Sequence, residues 1–271
     1  MIPNIKLNNG KQIPQVGLGI WQMHEEHECK QAVKWALQAG YRHFDTAQYY
    51  ANEQFLGEAL KESGVARDEV FVTTKIRVDN FTAGRLARSF DESLKKLQME
   101  AVDLLLLQFP VPMLRDGAWR KLEEIYGEGR AKSIGVSNYT IRHLEHLLKN
   151  CSVRPAVNQI EVHVFLQQPE LIKYCQDNDI AVVAYSPLAQ GQGMDNPVLV
   201  DIAKKHGKTP AQIMLRWCIE QNLVIIPKSV HQERIRQNIN IFDFKLDEAD
   251  KAKLKQLDSN HHMGRNPAYI P

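Results

Sequence analysis

The segment Val102-Asp103-Leu104-Leu105-Leu106-Leu107-Gln108 decides the fold class of this 271-residue chain. Its four consecutive leucines form a short run that is apolar at every position, which favours a strand covered on both faces, as in a parallel sheet. Six further β-like runs occupy residues 42–47, 70–75, 132–137, 156–162, 180–186 and 223–229, and several runs are continuously apolar. The glycine-containing segment at residues 16–20 would make an eighth strand.

Longer segments with apolar residues at helical spacing separate these runs. The clearest of them are residues 28–39, 82–97 and 141–148. Thr209-Pro210 predicts the start of another helix, because threonine caps a helix N-terminus and proline fits its first turn. Three glycines follow helical segments and precede strands, where a left-handed residue commonly ends a helix. These are Gly40, Gly64 and Gly129.

The regular alternation predicts an α/β protein, a single (β/α)8 TIM barrel over residues 1–271. Near the start of the chain, Asn9-Gly10 lies between two short apolar stretches and favours the tight turn of a β-hairpin. We expect this N-terminal hairpin to close the bottom of the barrel. The Rossmann fold, the alternative for repeated β/α units, needs the pattern G-x-G-x-x-G. Gly17-Leu18-Gly19 begins that pattern, but its third glycine position is Gln22.

Composition and charge narrow the class of protein. The net charge of +2 and the isoelectric point of about 8.3 are too mild to predict nucleic-acid binding. No apolar stretch has the length of a membrane span or a signal peptide, so we expect a cytoplasmic protein without a membrane partner. The four cysteines are scattered without metal-ligand spacing, and no metal site is predicted. Nothing in the sequence requires an oligomer, and we expect a monomer.

Polar residues lie at or near the carboxyl ends of strand after strand. They are Asp45, Lys75, Gln108, Ser137, Asn138, Gln159, Tyr185, Ser186, Lys228 and Ser229. Each alone has a structural explanation, since polar strand ends are common. Their recurrence predicts a functional site, because barrel enzymes place their chemistry at the carboxyl ends of the strands. The late segment Pro227-Lys228-Ser229, followed by Arg234, predicts a phosphate site, because barrels often bind phosphate after the last strands.

Several spaced motifs resemble the aldo-keto reductase family, and in particular its bacterial 2,5-diketo-D-gluconate reductase-like members. The motifs are FDTAQYYANE at residues 44–53, TTK at 73–75, IGVSN at 134–138, VNQIE at 157–161 and IPKS at 226–229. They occur in the family's order, and the similarity extends over residues 5–244. The resemblance implies reduction of a small aldehyde or ketone by NADPH, which becomes NADP+.

The resemblance also implies roles for individual residues. Tyr50 would donate the proton, Lys75 would favour the tyrosinate, and Asp45 would hold Lys75. Tyr49 is not the expected acid, because the five-residue step from Asp45 leads to Tyr50. Ser137, Asn138 and Gln159 would hold the nicotinamide carboxamide and Tyr185 would stack on its ring. Lys228, Ser229 and Arg234 would hold the 2′-phosphate. Further predicted cofactor contacts are Ser186, Leu188, Val230 and Asn238.

The sequence departs from the family pattern at the expected catalytic histidine, which is Gln108 here. Glutamine can donate an N–H bond but cannot become a cation, so we expect slower turnover or a narrower substrate range. Arg77 replaces an aromatic residue and either attracts anionic substrates or is structural. Trp21 and Phe109 are predicted to line the substrate pocket, to which Phe81 or Met113 could contribute unless they pack in the core. Gln237 replaces a frequent glutamate near the adenine.

Two alternatives to a carbonyl reductase remain open. A missing catalytic histidine also fits an NADPH-binding module with little or no turnover. The presence of Asp45, Tyr50 and Lys75 argues against that alternative. Reduction of an activated C=C bond ranks last, because relatives with that activity carry a carboxylic acid where this chain has Gln108.

Overall fold

The computed structural model describes residues 2–270, apart from the side chain of Ala83. Ten strands occur in this part of the chain. The first two, β1 (Asn4–Lys6) and β2 (Gln12–Pro14), pair antiparallel. The other eight run parallel: β3 (Leu18–Gly19), β4 (His43–Asp45), β5 (Phe71–Ile76), β6 (Leu104–Leu107), β7 (Ile134–Ser137), β8 (Val157–Glu161), β9 (Ala181–Tyr185) and β10 (Val224–Ile225).

The eight parallel strands pair in chain order, and the first and last segments close the ring. Val16 forms a parallel bridge with Ile225, and the Gly17 N–H donates to the Ile225 carbonyl at 2.8 Å. The Ile225 N–H in turn donates to the Gln15 carbonyl at 2.9 Å. The predicted barrel is therefore confirmed. Strands β3 and β10 are shorter than predicted, and after β10 Pro227 lacks the N–H that a longer ladder would need.

Ten α-helices pack around the barrel in the described part of the chain. They are α1 (Glu26–Ala39), α2 (Glu53–Ser63), α3 (Ala83–Leu97), α4 (Arg115–Gly127), α5 (Ile141–Asn150), α6 (Pro169–Asp177), α7 (Pro197–His206), α8 (Pro210–Glu220), α9 (Gln232–Ile239) and α10 (Glu248–Lys255). Helix α8 starts as predicted, since the Thr209 hydroxyl accepts from the Gln212 N–H in a capping box. None of the helices in this part of the chain combines the length and apolarity needed to cross a membrane.

The leucine run of β6 is apolar throughout because it serves two separate cores. Leu104 and Leu106 point into the barrel, where they pack with residues of β8, β9 and β10. Leu105 and Leu107 point outward and pack with the surrounding helices. Side chains alternate between the two faces of a strand, so a strand buried on both faces carries apolar residues at every position.

The N-terminal hairpin closes the bottom of the barrel, as predicted. Leu7 and Ile13 are buried in the same apolar cluster as Leu104 and Leu106. The turn between β1 and β2 has Gly10 at φ +83°, a left-handed conformation that glycine adopts without strain. The Asn8 side chain donates to the Pro155 carbonyl at 2.9 Å, just before β8, and so fixes the hairpin at the amino ends of the strands.

Candidate active site

A buried ion pair lies at the centre of the carboxyl end of the barrel. The Lys75 Nζ, on β5, is 2.5 Å from the Asp45 Oδ1 at the end of β4, and their side chains are 1% and 2% exposed. Lys75 also donates to the Thr46 carbonyl at 2.9 Å. A buried ammonium requires such partners, because an uncompensated charge loses its hydration.

The third hydrogen bond of the Lys75 ammonium is donated to Tyr50. The Lys75 Nζ lies 3.3 Å from the Tyr50 Oη, which follows β4 on a short 3-10 turn, Gln48–Tyr50. The ammonium has no acceptor, so Lys75 donates in this contact and the phenolic proton of Tyr50 stays free for another partner. Tyr49 points away, is 60% exposed and stacks on the guanidinium of Arg77. The five-residue step from Asp45 therefore selects the tyrosine that reaches the lysine.

Burial and charge oppose each other in setting the pKa of both groups. Burial raises the pKa of the Tyr50 phenol above its usual value, and the positive charge of Lys75 offsets only part of that effect. Burial alone would lower the pKa of Lys75, but Asp45 and Tyr50 outweigh it and raise that pKa. Lys75 favours the tyrosinate, as expected, yet burial dominates. Tyr50 is therefore protonated near neutrality, as a proton donor must be.

A chain of hydrogen bonds connects this centre to β7, β8 and β9. The Gln159 Nε2 donates to the Asp45 Oδ2 at 2.7 Å, and the Ser137 hydroxyl donates to the Gln159 carbonyl at 2.9 Å. The Tyr185 hydroxyl donates to the Asn138 Oδ1 at 2.8 Å. Asn138 has φ +66°, a left-handed backbone conformation, and its side chain contacts both the Gln108 carbonyl and the Tyr185 hydroxyl. The structure thus brings together four predicted nicotinamide contacts from three strands.

Gln108 lies directly after β6 and joins the same group of residues. Its backbone carbonyl accepts from the Asn138 Nδ2 at 3.0 Å. Its side-chain Oε1 is buried and has no hydrogen-bond partner within the described part of the chain. A buried unpaired polar atom is rare and costs stability, and this oxygen can accept only from a donor.

The predicted phosphate-binding residues lie where β10 leads into α9. Lys228 and Arg234 are exposed, and neither forms an ion pair with the acidic residues of positions 2–270. Ser229 is buried, and its hydroxyl accepts from the His231 N–H at 3.1 Å, just before α9 begins. Two unpaired cations beside a helix N-terminus are the chemistry that a phosphate requires. Asn238 is buried in the same helix.

The remaining predicted site residues differ in how far they are exposed. Trp21, Phe109, Ser186, Leu188 and Val230 are half-buried. Arg77 is about half exposed and pairs with Asp79 at 2.7 Å, which partly offsets its charge. Of the two further pocket candidates, Phe81 packs in the outer core and Met113 is 98% exposed. Core packing therefore accounts for Phe81.

Sequence reasoning missed the residues that hold the centre in place. The Asn52 Nδ2 donates to the carbonyls of Ile20 and Met23 at 2.8 and 3.1 Å, and the Thr46 hydroxyl donates to the Asn52 Oδ1 at 2.8 Å. Glu53 is buried and accepts from the Thr74 hydroxyl at 2.6 Å. All of them lie inside the quoted motifs, which is the signal that could have identified them. Their partners become visible only in three dimensions.

Comparison with known proteins agrees with this geometry, and residues 15–259 match the Aldo/keto reductase family. The chain belongs to the aldo/keto reductase family. It is 43% identical to glyoxal reductase of Bacillus subtilis over 263 residues, which cover 97% of this chain and 95% of the relative. It is 44% identical to methylglyoxal reductase DkgA of Escherichia coli O157:H7 over 267 residues, which cover 97% and 96%.

A solved structure of an aldo-keto reductase from Bombyx mori in complex with NADP has a TM-score of 0.93 to this chain. Its sequence is 37% identical, and the match covers 99% of this chain and 97% of the other. The predicted family, the barrel fold and an oxidoreductase of the aldo-keto type are confirmed by these similarities. The predicted cofactor agrees with the NADP of the Bombyx mori structure.

Proposed function

We propose that this protein reduces small aldehydes or ketones to alcohols with NADPH. The observation that carries the proposal is the contact of Tyr50 with Lys75, which is itself paired with Asp45. At the carboxyl end of the barrel, the Lys75 Nζ lies 3.3 Å from the Tyr50 Oη and 2.5 Å from the Asp45 Oδ1. A protonated phenol held by a buried ammonium is suited to protonate a developing alkoxide.

The proton path follows from the direction of each hydrogen bond. Lys75 donates to Tyr50, so the phenolic proton points to the substrate oxygen and leaves as the alkoxide forms. The charge of Lys75 then stabilises the tyrosinate that remains, because an opposite charge nearby favours the ionised form. Asp45 keeps the ammonium in place and compensates its burial. When NADPH is bound, it supplies the hydride to the carbonyl carbon.

The polar residues around the mouth fit NADPH. The carboxamide of nicotinamide has both donors and acceptors, and Ser137, Asn138 and Gln159 offer both. Tyr185 would stack on the ring. Lys228, Ser229 and Arg234 would hold the 2′-phosphate, which favours NADPH over NADH. Ser186, Leu188, Val230 and Asn238 complete the proposed cofactor contacts.

Gln108 would orient the substrate oxygen in place of the usual histidine. Its Nε2 can donate an N–H bond to that oxygen, whereas its Oε1, which has no partner in the described part of the chain, can only accept. A neutral amide stabilises a developing alkoxide less than a cationic imidazole does, so we expect turnover to be slow but real. Trp21 and Phe109 would form apolar walls beside it, while the ion pair with Asp79 would weaken the attraction of Arg77 for an anionic substrate.

We further propose a cytoplasmic monomer that binds neither nucleic acid nor membrane, with no metal in its site. The mild net charge of +2 argues against a nucleic-acid partner, and the relatives are named for small carbonyl substrates. Glyoxal and methylglyoxal are the first substrates to test.

A second candidate function is an NADPH-binding module with little or no turnover, which the glutamine at position 108 favours. The two candidates differ in one experiment: NADPH consumption with glyoxal and methylglyoxal, compared between the wild type and Gln108→His. Turnover by both, with the variant about tenfold faster or more, supports a reductase that lacks its strongest carbonyl-orienting group. Tight NADPH binding without turnover, restored by histidine, supports the binding module.

A further inference from the structure

The segment that follows helix α10 crosses the mouth of the barrel, and we call residues 259–265 the C-terminal strap. Its first part is fixed to the barrel because the N–H groups of Ser259 and His261 both donate to the Phe165 carbonyl at 3.1 Å. Its second part is held by a single side chain, that of Glu161. The N–H groups of Met263 and Gly264 donate to the two carboxylate oxygens of Glu161 at 2.6 and 3.1 Å.

Glu161 ends strand β8 and is 3% exposed, which is unusual for a carboxylate that pairs with no lysine or arginine in the described residues. The His163 Nε2 lies 3.2 Å from its Oε1, and the His262 Nδ1 lies 3.7 Å from its Oε2. Burial would raise the pKa of Glu161, but the bonds from His163 and from the two backbone N–H groups outweigh it and lower that pKa. Glu161 is therefore ionised when it holds the strap.

The strap brings new atoms to the proposed active site. A β-carbon on Gly264 would lie 3.5 Å from the Glu161 carboxylate and 3.7 Å from the Tyr185 hydroxyl, so the strap backbone passes beside the proposed nicotinamide site. The guanidinium of Arg265 lies 5.5 Å from the centre of the Phe109 ring. Arg265 is exposed and forms no ion pair within residues 2–270, so only the ring and the strap backbone hold it there.

We propose that Glu161 is a positioning residue that holds the C-terminal strap across the barrel mouth and so builds one wall of the carbonyl pocket from Arg265 and Phe109. The proposal rests on the proposed function, since it assigns the wall to the pocket of that reaction. In this proposal Glu161 acts through the strap and takes no part in the proton transfer. Hydrogen bonds to a charged acceptor are the strong ones, so one buried carboxylate suffices to fix two adjacent residues.

The test compares Glu161→Gln with the wild type in the full chain. An amide offers one oxygen where the strap needs two, and its NH₂ group faces a backbone N–H. We expect hydrogen exchange of residues 259–265 to become about tenfold faster or more, because such bonds contribute that much. The KM for methylglyoxal should rise about three- to tenfold by the same reasoning, while kcat and the KM for NADPH change little.

The control is Asp103→Asn, which removes another buried carboxylate that accepts a backbone N–H, from Val72 at 2.9 Å, and that also pairs with Arg67 and Lys132. Asp103 lies before β6 at the opposite end of the barrel, so its loss should leave exchange of the strap and the KM unchanged. If Glu161→Gln fails to fold, Arg265→Ala tests the wall directly, because this exposed side chain can be removed without loss of the fold. It should raise the KM for methylglyoxal and leave kcat close to the wild-type value.

Unchanged exchange of the strap in Glu161→Gln would overturn the proposal, and so would faster exchange with an unchanged KM. If Asp103→Asn changed the strap exchange and the KM as much as Glu161→Gln does, the effect would be one of general stability. That outcome would overturn the proposal as well. A wild type without turnover on any carbonyl would refute the proposed function. The exchange measurement would then still decide whether Glu161 holds the strap.

Discussion

At the scale of single residues, the chemistry of the site depends on which polar atoms already have hydrogen-bond partners. Gln159 and Lys75 satisfy both oxygens of Asp45, at 2.7 and 2.5 Å, so the buried pair is fully compensated. The Tyr50 proton is left for the substrate oxygen, and the Gln108 Oε1 is left to accept from a donor. The sequence predicted Asp45, Tyr50 and Lys75 together because the motif spacing carries them. It could not predict that burial would outweigh Lys75 and raise the pKa of Tyr50, because burial is a property of the fold.

The proposed phosphate site leads to a prediction about cofactor choice. Arg234→Ala should lower the preference for NADPH over NADH by about tenfold to a hundredfold, because hydrogen bonds to a charged phosphate are lost. The measurement is kcat/KM for each cofactor with methylglyoxal. Arg236→Ala is the control, since this exposed arginine lies on the same helix and outside the predicted contacts. Equal losses in the two variants would mean that only the general positive charge matters.

At the scale of secondary-structure elements, the hydrophobic pattern identifies buried strands but not the contacts between distant segments of the chain. The leucine run of β6 was recognised as a strand because both its faces are buried. Strand β3 is only two residues long, and the closing bridge between Val16 and Ile225 comes from outside the named strands. The C-terminal strap has no periodicity, so the sequence offered no prediction for it. The role of Glu161 depends on partners about 100 residues later in the chain, at Met263 and Gly264.

The contact of Gly17 with β4 makes a prediction about stability. A β-carbon on Gly17 would lie 2.6 Å from the Nδ1 of His43, too close for any side chain. Gly17→Ala should therefore lower the free energy of unfolding by about 1–3 kcal/mol, measured by urea denaturation. Gly84→Ala is the matched control, because nothing lies within 4 Å of its β-carbon position and alanine favours the helix. A Gly17→Ala variant as stable as the wild type would show that His43 moves aside freely.

At the scale of the whole molecule, we propose that the barrel, hairpin and strap form a single domain over residues 1–271. The alternation of strands and helices predicted this architecture. Closure depends on the pairing of residues near position 16 with residues near position 225, which are over 200 positions apart in the chain. The alternation predicts the order of the strands around the barrel, and the resemblance to a known family agrees with it, but neither gives the residues that close the ring.

The buried His43 predicts how the stability of the molecule depends on pH. Burial lowers the pKa of His43 from 6.5 to about 4, although Asp45 partly opposes it. Below pH 6.5 the unfolded chain binds a proton that the folded chain does not, so the free energy of unfolding falls as the pH drops towards 4. The wild type should lose about 3 kcal/mol more than His43→Gln over this interval in urea denaturation. Equal losses in the two proteins would show that His43 is protonated in the folded state.

The measurement that tests the central claim most directly compares two adjacent tyrosines. We would determine kcat/KM for NADPH-dependent reduction of methylglyoxal by the wild type, Tyr50→Phe and Tyr49→Phe. Tyr50→Phe should lower kcat/KM by about 10²–10⁴, the usual contribution of a general acid. Tyr49→Phe should stay close to the wild type, because this exposed side chain points away from Lys75. Wild-type turnover by Tyr50→Phe, or equal losses in both variants, would contradict the assignment of Tyr50 as the proton donor.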